Sequence, residues 1–136
     1  MKDAAIVSFV FGVALAGATG SAHHAIASVY DSNRPARITG TIVRIEFINP
    51  HPLLMIKVDA AGGKTDEWTL ELDNRSELAS IGMTSDTLRP GDEVVAAGSM
   101  ARTHPNRMYL RRLERPADGF LYEQVGSSPR IRRPSR

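Results

Sequence analysis

Residues 38–48 read ITGTIVRIEFI, and residues 49–52 read NPHP. This stretch decides the fold. It is long and rich in β-branched residues, so it reads as a strand. Its apolar phase slips: Ile38, Gly40 and Ile42 share one face, and Val43, Ile45 and Phe47 share the other. Side chains alternate with a period of two, so a one-residue slip predicts a β-bulge or sharp coil near Ile42. Asn49-Pro50-His51-Pro52 then ends the strand, because proline cannot donate to a ladder.

Outward from there, residues 53–59 place Leu54, Ile56 and Val58 on one face. Residues 60–64 (AAGGK) read as a hairpin turn. Residues 67–73 alternate, with Trp68, Leu70 and Leu72 expected inward and Glu67, Thr69, Glu71 and Asp73 outward on a solvated face. Asn74 is placed to cap a helix over residues 75–81, and Gly82 to stop it. Residues 88–92 (LRPGD) set Pro and Gly as a type II turn requires. Residues 93–101 and 108–113 read as further strands, parted by the turn Thr103-His104-Pro105-Asn106, and residues 120–125 as a short sixth. Three strands, one short helix, then two or three strands predict an all-β, OB-like Greek-key barrel, with the helix between strands three and four. An open antiparallel sheet with one covering helix is the runner-up.

The ends differ from this middle. Residues 4–18 are almost wholly apolar, follow Lys2 and precede small residues, which is the layout of a secretory signal. The apolar run is too short to span a bilayer, which takes about 20 residues. Cleavage after Ala18 leaves Thr19 first, and cleavage after Ala22 leaves His23 first; the second is favoured. Residues 1–22 are therefore read as the signal, 23–125 as the barrel domain and 126–136 as a basic tail without compact structure. No later segment reads as a membrane anchor. The expected location is the periplasm of a Gram-negative bacterium, or the exterior.

The 136 residues allow one small domain, and 42% apolar with 24% charged residues is ordinary globular composition. Zero cysteines exclude disulfides, thiolate metal sites and a cysteine nucleophile. The net charge of +2 is too small to imply a polyanion partner. Residues 23–100 carry seven basic and eleven acidic side chains, and residues 101–136 carry nine and three. Tyr109 with Arg102, Arg107, Arg111 and Arg112 is the best nucleic-acid patch available. With 6% aromatics and export expected, it reads instead as an exposed strand face.

The four histidines carry the most chemistry. His23 and His24 open the expected mature chain, His51 lies in the NPHP turn, and His104 lies in the turn before the fifth strand. Imidazole suits copper and zinc, and a free amine on His23 would add a second nitrogen. Against this stands the plainer reading of an unstructured terminus and two turn residues. Asn49 would stiffen the loop presenting His51, and Glu71 could orient an imidazole as a hydrogen-bond acceptor. No catalytic constellation is visible: there is no G-x-S-x-G and no phosphate loop.

Jointly, His23-His24-Ala25 with Tyr30-Asp31, Ile38-Thr39-Gly40-Thr41-Ile42, Phe47-Ile48-Asn49-Pro50-His51, Trp68-Thr69-Leu70-Glu71 and Leu88-Arg89-Pro90-Gly91-Asp92-Glu93-Val94 resemble one family. It is the group of small exported bacterial proteins called domain of unknown function 6152. The resemblance runs from about His23 to Leu113. It implies a periplasmic, OB-like barrel without an established activity, and carries His23, His24 and His51 as family features. Ala25 departs from the usual Ser, and His104 and the Arg-rich end are peculiar to this chain. The leading expectation is a non-enzymatic periplasmic protein binding copper or zinc through His23, His24 and His51, with His104 as a further ligand. The alternative is an envelope interaction protein that uses its sheet edge or residues 130–136.

Overall fold

The computed structural model describes residues 21–134. They form α1 (Ser21–Val29), β1 (Tyr30–Glu46), β2 (Leu53–Asp59), β3 (Thr65–Glu71), α2 (Arg75–Ser80), β4 (Glu93–Ala101), β5 (Arg107–Arg115), β6 (Phe120–Val125) and β7 (Ser128–Arg132). The seven strands make one sheet in the order β3-β2-β1-β4-β5-β6-β7. Every neighbouring pair in that order is antiparallel. β3 also pairs with β5, in parallel, through Leu70 opposite Met108 and Glu71 opposite Tyr109. The fold is all-β with few helices. Among the described residues no helix is long and apolar enough to cross a membrane.

β1 organises the sheet. Its second half pairs with β2, while most of its length pairs with β4. The expected bulge is present: the register against β2 shifts between Ile42 and Arg44. Ile42 is thereby turned inward and is fully buried. The Pro90-Gly91-Asp92 turn locks onto the same residue. The Ile42 amide donates to the Asp92 carbonyl at 2.9 Å, and the Gly91 amide to the Ile42 carbonyl at 2.8 Å. Gly91 takes a φ of 93°, which an L side chain would resist.

The alternating faces of β2 and β3 deliver Leu54, Ile56, Leu70 and Leu72 to one core, joined by Met108, Leu110 and Leu113 of β5. Each such side chain contributes about 1.5–3 kcal/mol on burial. Trp68 is half-buried and packs on the edge of that core. α2 adds Leu78. Its cap is Asn74, whose side chain accepts from the Ser76 amide at 2.9 Å, and Gly82 (φ 87°) ends it.

Two expectations need correction. β1 begins at Tyr30 rather than Ile38, and the basic end is not without structure. Residues 128–132 are β7, with Arg130 opposite Glu123 and Ile131 opposite Tyr122. Opposite charge across the ladder and a half-buried Ile131 against the core outweigh the mutual repulsion of the arginines. The expected signal lies outside the described residues apart from Ser21 and Ala22, which open α1.

Candidate functional site

The carboxylates of β3 are not on a solvated face. The Glu71 side chain is 13% exposed, and Asp73 is 4% exposed. The reason is that the start of β1, the start of β5 and the β6–β7 hairpin cover the end of β3. Glu71 accepts from the Tyr30 hydroxyl at 2.5 Å and from Arg107 Nη2 at 2.8 Å. Arg107 Nε also donates to the Tyr30 oxygen at 2.8 Å. Burial, then the bond to Glu71, pushes the Tyr30 hydroxyl well above the usual phenol range. The same carboxylate raises the Arg107 guanidinium. Tyr30 is thus pinned beside Tyr109, with ring centroids 5.8 Å apart.

Asp73 is held differently. Its Oδ1 accepts from the Asn74 amide at 2.7 Å, and its Oδ2 from Gln124 Nε2 at 2.6 Å. The Tyr122 hydroxyl donates to Gln124 Oε1 at 3.0 Å, which leaves the Gln124 amide nitrogen to face Asp73. No cation pairs with Asp73 among the described residues.

Of these residues, Tyr30, Tyr109, Asp73 and Gln124 border a cavity of about 590 Å³, within the size range of small-molecule sites. Ile26 and Ala27 of α1 close one side. His51, Asp73 and Glu77 form another, and Ser99, Tyr109, Arg111 and Gln124 come from β4, β5 and β6. Apart from the tyrosines, the buried polar or charged side chains among the described residues are Asp73 and Ser99, and both border it.

His51 reaches the cavity because its loop is tied to β3 and α2. The Leu72 amide donates to the Pro52 carbonyl and the Arg75 amide to the Pro50 carbonyl, each at 2.9 Å. The imidazole Nδ1 lies 3.1 Å from the Leu72 carbonyl. A carbonyl only accepts, so Nδ1 carries the proton and the lone pair of the neutral ring sits on Nε2. This is how a metal-binding imidazole is usually fixed. The acceptor is the Leu72 carbonyl rather than Glu71, which is engaged with Tyr30 and Arg107. Asn49 is exposed and does not border the cavity.

The other histidines divide. His104 is exposed, lies 3.0 Å from the Thr103 hydroxyl and is not on the cavity wall, so the structure does not bring it to His51. His23 and His24 belong to α1, shortly before Ile26 and Ala27, and their side chains lie outside the described residues. Among the described residues no three His, Asp or Glu side chains are grouped to hold a metal ion. The arginine face is largely neutralised. Arg102 pairs with Asp31 at 3.3 Å, Arg107 with Glu71 at 2.8 Å, and Arg112 with Glu114 at 2.8 Å and with Glu123. Arg111 lies over the Tyr109 ring, 5.1 Å from its centroid.

A family model matches residues 11–108, most of the chain. The chain belongs to the family of unknown function DUF6152. The DUF6152 match includes His51, Asp73 and Ser99 and stops just before Tyr109, so the cavity is walled partly by β5 and β6 residues beyond it. No curated protein and no solved structure matches the chain.

Proposed function

We propose that this chain is an exported, periplasmic binding protein built on an OB-like Greek-key barrel, and that its site is the cavity under α1. The order of pairings supports the barrel: from β1 through β2 and β3, across the parallel pair to β5, and back through β4 to β1. The occupant is a transition metal ion, copper or zinc, taken by His51 Nε2 with ligands from His23 and His24. The observation that carries this reading is the His51 imidazole, fixed through Nδ1 by the Leu72 carbonyl on the wall that α1 closes. Zinc and copper both accept neutral imidazole.

The test is calorimetric titration of Cu(II) and Zn(II) into the purified exported form, after its N-terminus has been sequenced. The expected results are a start at His23 and binding tighter than about 1 μM. His51→Ala and the double His23→Ala, His24→Ala variant should each weaken binding at least about tenfold. A chain that begins at Thr19 overturns the N-terminal chelate. Binding that is unchanged in His51→Ala overturns the site.

A further inference from the structure

A metal ion fills little of a cavity of about 590 Å³, and the wall away from His51 has its own chemistry. Ser99 and Tyr109 stand directly opposite one another across the β4–β5 ladder. Ser99 is 7% exposed and Tyr109 5%. Neither hydroxyl has a hydrogen-bond partner among the described residues. Neither is a sealed orphan, however, because no enclosed side-chain oxygen lacks a partner. Their oxygens therefore keep access to open space, and the space that both residues border is the cavity. Open to the cavity and free of protein partners, both oxygens can accept from a ligand's donors in place of water.

Asp73 completes the set. It is the one buried charged side chain of the described residues. Each of its oxygens accepts one N–H, and a carboxylate has about four acceptor positions. The nearby cations do not answer it. Arg102 is exposed and paired with Asp31, and Arg111 is exposed over the Tyr109 ring. Asp73 also lies near enough to Tyr109 that its charge, after burial itself, helps keep that hydroxyl protonated.

We infer, taking the cavity to be the binding site, that this wall receives an organic ammonium ion. Asp73 supplies the counter-charge, Ser99 and Tyr109 supply neutral oxygens, and Ile26 and the tyrosine rings face the ligand's apolar body. An ammonium group offers three donors, matching one carboxylate and two hydroxyl oxygens. A carboxylate ligand would meet Asp73 and be repelled, and a neutral alcohol would leave the buried charge unanswered.

The experiment is an NMR titration of the exported chain with benzylamine, benzyl alcohol and benzoate. Benzylamine should bind at least about tenfold more tightly than either control, with shifts centred on Asp73, Ser99 and Tyr109. Asp73→Asn should weaken benzylamine about tenfold. That variant can keep its hydrogen bonds if the Gln124 amide turns over, since the Tyr122 hydroxyl can accept as well as donate. Should it fail to fold, Ser99→Ala and Tyr109→Phe carry the test, each expected to weaken benzylamine severalfold. Controls that bind as well as benzylamine, or variants that leave it unchanged, overturn the inference. Copper binding without amine binding defeats this inference alone, whereas loss of both defeats the cavity as a binding site. His104→Ala, at an exposed residue off the cavity wall, should leave benzylamine affinity unaltered.

Discussion

Raising the pH should unfold this protein through its tyrosines. The chain has three, Tyr30, Tyr109 and Tyr122, and they are 3%, 5% and 0% exposed. Burial is the largest cause raising each hydroxyl's pKa. Glu71 adds to it at Tyr30, Asp73 at Tyr109, and Tyr109 at Tyr122. An unfolded tyrosine loses its proton near pH 10. Above that pH the unfolded chain binds fewer protons than the folded one, so stability falls as pH rises. Each tyrosine contributes about 1.4 kcal/mol per pH unit, and three together about 4 kcal/mol per unit. A domain of ordinary stability, about 5–15 kcal/mol, is exhausted within roughly one to four units above pH 10. Below about pH 9 these groups should contribute no slope. The assay pairs near-ultraviolet phenolate absorbance with circular dichroism, in buffer and in urea, and adds urea midpoints across the alkaline range. Phenolate should appear in buffer only as the circular dichroism signal is lost. A tyrosine that titrates near pH 10 while the fold persists would refute the reasoning. Tyr109→Phe then shows whether the cavity wall is the part in error.

Two further perturbations test how the site is held. A Cβ on Gly98 would stand 2.0 Å from the Tyr109 carbonyl oxygen, so Gly98→Ala should cost about 1–3 kcal/mol in urea unfolding; a neutral outcome would contradict the close approach of β4 and β5. Glu71→Ala strands Arg107 and the Tyr30 hydroxyl. Discounted for the 35% exposure of Arg107, it should cost about 2 kcal/mol, with a clear coupling to Tyr30→Phe in a double-mutant cycle; additive costs would show that the Tyr30–Glu71 bond carries no stability.

The sequence was most informative where local physics acts alone. The slipped phase around Ile42 announced the bulge, and Asn74 and Gly82 marked both ends of α2. The first part of β1 gave no such signal. Tyr30–Arg37 is polar, contains Pro35, and changes register against β4 between Tyr30 and Pro35, so period-two reasoning had nothing to count. β7 is hidden because like charges and Pro129 argue against structure until Glu123 stands opposite Arg130 and Tyr122 opposite Ile131. Strict alternation assigns Asp73 to solvent. Its burial depends on Gln124, 51 residues away. The cavity shares that origin. Ser99 meets Tyr109 across a ladder and His51 meets Leu72 across a loop, pairings that no short window contains. His51 does stand on the cavity wall, but its partner is a backbone carbonyl, which residue types cannot advertise.

His51 can take a metal ion from the cavity only if Nε2 is its free ring nitrogen. A long-range nitrogen–proton correlation spectrum of the imidazole reads this directly, before and after one equivalent of Zn(II). The ring should carry a proton on Nδ1, with the Nε2 resonance shifting on zinc addition and no response from His104. A ring protonated on Nε2, or an Nε2 resonance indifferent to zinc, would contradict metal binding by His51.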